Sequence, residues 1–140
     1  MKIRAAKKSD YKELMRLYDG FIEKPRYSKP GNDSFAKVMA DPNTEILVAE
    51  EKGELIGFIS FRARYVVRYK KPIGEVEELF VSENYRKQGI GGKLIKKIEQ
   101  VAKKFKCQRI YIESRFSRKT AHKFYVNLGY KKFGYYFLKK

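Results

Sequence analysis

Between Arg86 and Lys93 the chain reads Arg-Lys-Gln-Gly-Ile-Gly-Gly-Lys, and this run carries the clearest chemistry in the sequence. Before it, Val76–Val81 is an apolar stretch that predicts a strand, followed by a polar turn at Ser82–Tyr85. After it, Gly91, Leu94, Ile95, Ile98, Val101, Ala102 and Phe105 recur at i, i+3, i+4 and i+7, the period of an amphipathic helix. Lys93, Lys96, Lys97, Lys103, Lys104 and Lys106 take most of the other positions. A glycine-rich loop that opens a helix after a strand suits an anion. The first N–H groups of the helix lack carbonyl partners, the macrodipole is positive there, and glycines let a ligand approach the backbone.

Spacing excludes two familiar phosphate loops. The nucleoside-triphosphatase pattern needs Gly where Lys87 stands and Ser or Thr where Leu94 stands. The dinucleotide pattern would place its third Gly at Leu94. A second feature is acidic. Glu75, Glu77, Glu78 and Glu83 gather around the Val76–Val81 strand in a chain of net charge +17, which plain packing does not call for. A carboxylate buried there has its pKa raised towards the range of a general base. The same acids equally suit pairing with lysines or binding a cationic acceptor. By alternation, Glu77 and Glu78 point to opposite faces of the strand.

Other elements must position these residues. Lys2–Ala5 is a short candidate strand, and Ser9-Asp10 signals a helix N-terminus. Leu14, Leu17, Tyr18, Phe21 and Ile22 form the stripe of that helix. Pro25, Pro30 and Gly31-Asn32 make Lys24–Asn32 a loop. Phe35, Val38 and Met39 suggest a second helix, stopped at Asp41-Pro42. Glu45–Glu50 and Leu55–Arg64 read as a hairpin turned at Glu51–Glu54. Tyr65–Lys71 either extends the strand or loops, and Pro72-Ile73-Gly74 punctuates. Arg109–Glu113 alternates as a strand. Ser117 caps a last helix with Ala121, Phe124, Tyr125 and Leu128 on one face, ended by Gly129. Tyr130–Leu138 reads as a closing aromatic strand.

The 140 residues fit one domain, 1–140, large enough for a substantial core, with 43% hydrophobic residues and 21 Phe and Tyr. No apolar run approaches a membrane span, and the first residues lack the apolar centre of a secretory signal. One cysteine, Cys107, excludes an internal disulfide and suits a cytoplasmic location. It reads as a small residue after the long helix rather than a nucleophile. With one His, His122, no cluster has metal-ligand spacing, so no metal is expected. The positive charge attracts polyanions non-specifically, but no RNA-binding signature appears and no specific nucleic acid partner is expected.

The run Arg86-Lys87-Gln88-Gly89-Ile90-Gly91, with the preceding Glu-x-x-x-Val-x-x-x-Tyr-Arg, resembles the acetyl-CoA motif of the GCN5-related N-acetyltransferases. Ile3-Arg4-x-Ala6-x-x-x-Asp10 and Ala121-x-x-Phe124-Tyr125-x-x-Leu128-Gly129-Tyr130 also look like that family. So does the order β-α-α-β-β-β-α-β-α-β. The resemblance implies an α/β (α+β) architecture, the acyl-CoA N-acyltransferase fold. Its mixed central sheet would have about six to seven strands, flanked by about four helices.

It also implies acetyl transfer from acetyl-CoA to a primary amine by direct attack, with acetyl-CoA as co-substrate. Arg86, Lys87, Gln88, Gly89, Ile90, Gly91, Gly92 and Lys93 would receive the pyrophosphate, Arg86 and Lys93 as auxiliary cations. Bulk at Gly89 or Gly91 would obstruct that approach, and both are candidates for angles only Gly tolerates. The strand Leu79, Phe80 and Val81 would hold the pantetheine arm and polarise the thioester carbonyl.

Glu77 matches the family position proposed as base, with acceptor binding as its other reading. Glu78 is a candidate for the acceptor, as are the loop residues Arg26 and Tyr27. Tyr125 would protonate the leaving thiolate, and His122 reads as an ordinary helix residue. Where the family often has Asn contacting the cofactor, this chain has Arg118, leaving Ser117 or Arg118 to substitute. The resemblance does not choose between small amines or polyamines and a protein N-terminus or lysine. A basic nucleic-acid-binding module that keeps the fold is the other class of reading. The sequence leaves oligomeric state open, a homodimer included.

Overall fold

The computed structural model describes residues 1–21 and 32–140. In order come β1 (Lys2–Ala5), α1 (Tyr11–Phe21), α2 (Asn32–Ala40), β2 (Thr44–Glu51), β3 (Glu54–Arg64), β4 (Ile73–Val81), α3 (Ile90–Lys104), β5 (Ile110–Ile112) and α4 (Lys119–Asn127). The strands form one mixed sheet in the order β1-β2-β3-β4-β5. Neighbours run antiparallel except β4 and β5, which are parallel. The β2–β3 hairpin turns through Lys52 (φ 50°) and Gly53 (φ 82°), two successive positive φ values of the kind that matches strand twist.

Each face of the sheet is covered by a helix stripe. On one face, Leu14 and Leu17 of α1 and Phe35 of α2 bury against Val48, Phe58 and Phe80. On the other, Ile90, Leu94, Ile95, Ile98 and Ala102 of α3 bury against Ala49, Ile59, Phe61 and Val76. Burying a side chain such as Leu94 or Ile98, both fully covered, contributes roughly 1.5–3 kcal/mol. Polar ties fix α1 in register: Leu55 N donates to Glu13 Oε2 (2.9 Å) and Arg16 Nη2 to Leu55 O (2.9 Å). Asp10 accepts from Lys7 N at 2.7 Å and from both terminal nitrogens of Arg4, at 2.8 and 3.0 Å. Arg4 Nε also reaches Glu50 (2.8 Å), so one guanidinium joins β1, β2 and the entry to α1.

The sequence-based expectations need three corrections. Among the described residues the sheet has five strands, not six to seven, because Tyr130–Leu138 forms no strand. That segment touches its neighbours through rings, Phe133 on Tyr111 (centroids 6.0 Å) and Tyr135 on Phe116 (5.7 Å); β5 offers it an edge of only three residues. Pro72-Ile73-Gly74 is no break after Pro72: β4 starts at Ile73, where Gly74 N donates to Arg109 O (2.9 Å). Of the two readings of Tyr65–Lys71, the loop holds. Ser117 is not the N-cap of α4; Arg118 holds that place, without a side-chain cap.

Candidate active site

β4 organises the site because it outlasts its neighbour. It pairs with β5 only over Gly74–Val76 against Ile110–Ile112 and then continues to Val81 beside β3 alone. The register shows what that exposes. Ser82 N donates to Ile56 O (2.8 Å), and hydrogen-bonded and non-hydrogen-bonded pairs alternate along an antiparallel ladder. Opposite Gly57 and Ile59, Val81 and Leu79 therefore turn their backbone groups away from β3, into the parting from β5. Phe80 turns its own toward β3, and its ring joins the core under α1.

The strand leads through a short turn, Glu83–Tyr85, into the glycine loop and α3. Lys87 (φ 61°) and Gly89 (φ 77°) are both left-handed. Gly89 is the N-cap of α3, and its carbonyl accepts from Lys93 N (3.1 Å). The N–H groups of Ile90, Gly91 and Gly92 precede the first helical bond and have no acceptor within the helix. A side chain at Gly89 or Gly92 would meet open space. These features fit an anionic phosphate group.

Two expectations within this loop change. Gly91 has no special φ; a Cβ there would stand 3.2 Å from Phe124 Cζ. Its smallness admits α4 against the start of α3. Arg86 is not a free cation: its Nε donates to Val81 O (2.9 Å), and its guanidinium lies 5.6 Å from the Phe80 ring centre. It ties the loop to the end of β4.

The acids also sit differently from simple alternation. The β3–β4 register shifts between Ser60 and Phe61, which pair with Glu78 and Val76 and leave Glu77 as the extra residue. Such a bulge resets side-chain direction. Glu77 lies against Arg62 (3.3 Å) and Glu78 against Ser60 (3.2 Å), so both face the α1 side of the sheet. Glu77 is exposed. Glu78 accepts from Tyr18 Oη at 2.8 Å. Burial raises the Glu78 pKa, the hydrogen bonds from Tyr18 and Ser60 oppose that rise, and the nearby charge of Glu77 adds to it. Burial and the Glu78 charge hold the Tyr18 phenol protonated far above its usual range. Glu75 is held apart by Arg64 (2.6 Å) and Arg62 (3.7 Å).

Tyr125 approaches from the opposite face. It packs on the core beneath α3, between the rings of Phe124 (centroids 5.4 Å) and Tyr130 (6.5 Å). Burial raises its pKa, and the charge of Arg118 works the other way. Gly129 (φ 94°) ends α4 as a left-handed cap, with Tyr130 N returning to Tyr125 O (3.0 Å). His122 Nε2 lies 2.8 Å from Arg115 O, pinning the loop before α4. Tyr27 and Arg26 lie outside the described residues. Among the described residues no metal-binding cluster occurs. A hollow of about 440 Å³, lined by none of the residues Arg86–Lys93, lies between β1, β2 and the later turns of α3 around Lys97 and Lys104.

Three hydroxyl-bearing residues with buried or part-buried oxygens escaped the sequence reading. Tyr18 read only as part of an apolar stripe, although a buried phenol needs a partner. Ser60 sits mid-strand with no local signal. Ser114, just past β5, buries its hydroxyl with no hydrogen-bond partner among the described residues.

Residues 11–130 match the acetyltransferase (GNAT) family. The chain belongs to that family. The aminoalkylphosphonate N-acetyltransferase of Salmonella typhimurium is 33% identical over 107 residues, covering 76% of this chain and 70% of that protein. An N-alpha-acetyltransferase of Sulfurisphaera tokodaii is 29% identical over 104 residues, 69% of this chain and 62% of that one. Among solved structures, a transcriptional regulator from Bacillus halodurans superposes with TM-score 0.89 at 22% identity, covering 99% of this chain and 97% of that one. An aminoglycoside 6'-N-acetyltransferase from Acinetobacter haemolyticus does so with TM-score 0.83 at 23% identity, covering 100% and 99%. The GNAT chain is thus an N-acetyltransferase, of a family that uses acetyl-CoA as co-substrate, on the acyl-CoA N-acyltransferase fold. No helix among the described residues is long and apolar enough to cross a membrane.

Proposed function

We propose that this N-acetyltransferase acetylates a small primary amine where β4 parts from β5, with the acceptor entering from the α1 side. The observation that carries the reading is the bulge that turns Glu77 and Glu78 to one face. In a chain of charge +17, that face gives an ammonium group two carboxylates beside the open strand edge. The Salmonella relative, named for aminoalkylphosphonates, supports a small acceptor.

Acetyl-CoA supplies the acetyl group and departs as the thiol. The N–H groups of Ile90, Gly91 and Gly92, with Lys93 nearby, would hold its pyrophosphate. The outward backbone of Leu79 and Val81 would hold the pantetheine arm and donate to the carbonyl oxygen as charge develops there. An amine of lysine-like pKa, ~10.4, is protonated at neutral pH and must lose a proton before attacking. Glu78, with its raised pKa, is suited to accept that proton, directly or through water, while Tyr18 fixes the carboxylate. Glu77, exposed beside Arg62, suits drawing in the cationic acceptor. Tyr125, neutral and shielded on the far side of the parting, suits protonating the leaving sulfur.

The test is an acceptor screen that follows free thiol release from acetyl-CoA, with polyamines, aminoalkyl compounds and peptides bearing free N-termini or lysines. Turnover on small amines with none on peptides is the expected result. Turnover confined to peptides would overturn the small-amine reading and favour the activity named for the Sulfurisphaera relative.

A further inference from the structure

We infer that the hollow between β1, β2 and the later turns of α3 is a second small-molecule site, fitted to an α-amino acid with a large apolar side chain. This stands apart from the acetyl-transfer reading and uses none of its residues. Periodicity builds the walls. Ile3 and Ala5 alternate along β1, and Glu45 and Leu47 along β2, so all four face α3. Lys97, Gln100 and Lys104 recur at i, i+3 and i+7 along one flank of α3, with Val101 and Phe105 nearer the core. The last residue of β1, Ala5, pairs with Leu47, so α3 overhangs an open sheet edge beside Glu45. The resulting volume of about 440 Å³ falls within the range of small-ligand sites.

The lining divides into an apolar floor and a charged rim. Leu47 is buried, and Ile3, Val101 and Phe105 are half-buried around it. The rim carries both signs of charge, and the fold uses neither. Glu45 is half-buried, yet it makes no hydrogen bond or ion pair among the described residues. Burial raises its pKa, and the charge of Lys104 opposes that rise. A carboxylate partly withdrawn from water is costly unless a donor reaches it. Lys97 and Lys104 are likewise without an ion pair among the described residues. Arg4 also lines the hollow, but its guanidinium is committed to Asp10 and Glu50.

These demands choose the occupant. A plain anion would meet Lys104 but be repelled by Glu45, and a plain amine would meet the reverse. An α-amino acid carries both charges on one carbon. Its ammonium can donate to Glu45 and its carboxylate can accept from Lys104 and the Gln100 amide, while an apolar side chain lies over Leu47, Val101 and Phe105. An extended peptide laid along β1 suits the place less well. That edge is four residues long and begins with Lys2, and Ala5 O already accepts from Arg4 Nη1 (3.2 Å). Short edges that carry lysine discourage strand addition.

The experiment is calorimetry on the full chain with L-phenylalanine and L-leucine. Beside them run 3-phenylpropanoate, which lacks the ammonium, and 2-phenylethylamine, which lacks the carboxylate. One site with a Kd of about 1 mM or tighter is expected for both amino acids, with each single-charge analogue at least tenfold weaker. Glu45→Gln and Lys104→Met should each weaken phenylalanine binding at least tenfold while leaving Tm and acetyl-CoA affinity unchanged. Ala5→Phe, which fills the hollow from an exposed position, should abolish it. Glu78→Gln should bind phenylalanine as wild type does, which separates this site from the acceptor site and makes the result independent of the acceptor screen. Absence of binding would overturn the proposal, as would phenylpropanoate binding as tightly as phenylalanine. So would affinity lost in Glu78→Gln but kept in Glu45→Gln, or an N-blocked apolar peptide binding where the free amino acids do not.

Discussion

The hydroxyl of Tyr18 donates to Oε1 of Glu78 at 2.8 Å, joining the helix at one end of the chain to the central strand on the face where Glu77 also lies. Ser60 donates to the same oxygen at 3.2 Å, leaving Oε2 with no such partner among the described residues. A carboxylate held by one oxygen, with burial raising its pKa, is suited to take a proton on the other. Glu78→Gln should lower kcat by about 10²- to 10⁴-fold, the usual contribution of a positioned base. Tyr18→Phe should lower it less and move the acidic limb of the pH–rate profile, because it removes a hydrogen bond that favours the ionised form. Full kcat in Glu78→Gln with an identified acceptor would remove Glu78 from the chemistry.

The same carboxylate links stability to pH. Its folded pKa is raised, so the folded state holds the proton to higher pH than the unfolded state does. Its contribution is fully present below the ordinary carboxylate pKa and is lost as pH climbs through the raised value. Glu78→Gln, which keeps the neutral form at every pH, should therefore gain Tm relative to wild type on going from about pH 4 to about pH 7. Asp10 has the opposite sign. Arg4 lowers its pKa, so its contribution is present above the ordinary range and is lost on acidification. Asp10→Asn should cost about 1.5–3 kcal/mol at neutral pH, with the difference narrowing in acid. Parallel melting curves for the two variants across pH check both signs at once.

Glu77 and Glu78 can be separated kinetically. Glu77 is exposed and ion-paired with Arg62 at 3.3 Å, an arrangement that suits attraction of a cation better than proton abstraction. Glu77→Gln should raise the acceptor KM several-fold with kcat nearly intact, the signature of lost binding rather than lost chemistry. A fall in kcat that recovers from about pH 7 towards about pH 10, where the amine deprotonates unaided, would make Glu77 the base instead.

What the sequence revealed and what it hid both have physical reasons. The stripe from Leu94 to Phe105 announced α3 because helical period and burial coincide along it. The conformational demand at Gly89 was readable for a similar reason, since local backbone geometry acts on local residues. The facing of Glu77 and Glu78 was not, because a bulge adds one residue to β4 opposite Ser60 and Phe61, and alternation cannot announce an insertion. The roles of Gly91 and Arg86 depend on Phe124 and Val81 O, partners that only the folded chain brings to them. Tyr130–Leu138 has strand composition but no adequate edge in its own chain, and composition says nothing of edges.

The glycine loop offers a variant whose two effects should have opposite signs. Gly92 lies in the first turn of α3, with open space where a side chain would go. Gly92→Glu places a negative charge at the positive end of the helix dipole and removes a flexible glycine, so Tm should rise slightly. The same charge should repel a pyrophosphate and weaken acetyl-CoA binding by at least tenfold in calorimetry. Gly91→Glu is a poorer probe, since its Cβ already crowds Phe124 and instability would accompany any loss of binding. Wild-type acetyl-CoA affinity in Gly92→Glu would move the phosphate site away from α3.

Tyr125 provides the test from the other face of the sheet. Its ring is packed between Phe124 and Tyr130, and its hydroxyl has no hydrogen-bond partner among the described residues. Removing that oxygen should therefore cost little stability: Tyr125→Phe keeps the packing, and its Tm should stay within a few degrees of wild type, about the shift of a sub-kcal/mol change. Burial raises the phenol pKa, so the group stays protonated through neutral pH and has a proton to give. If that proton goes to the departing sulfur, kcat should fall roughly ten- to a thousandfold, within or just below the general-acid range, while acetyl-CoA affinity changes far less. Phenylalanine and wild type should then be compared with a second acyl donor whose leaving thiol has a lower pKa. A better leaving group needs less protonation, so the defect should shrink with that donor if Tyr125 is the acid. An equal defect with both donors would assign the residue to positioning, and a normal kcat would return it to the core.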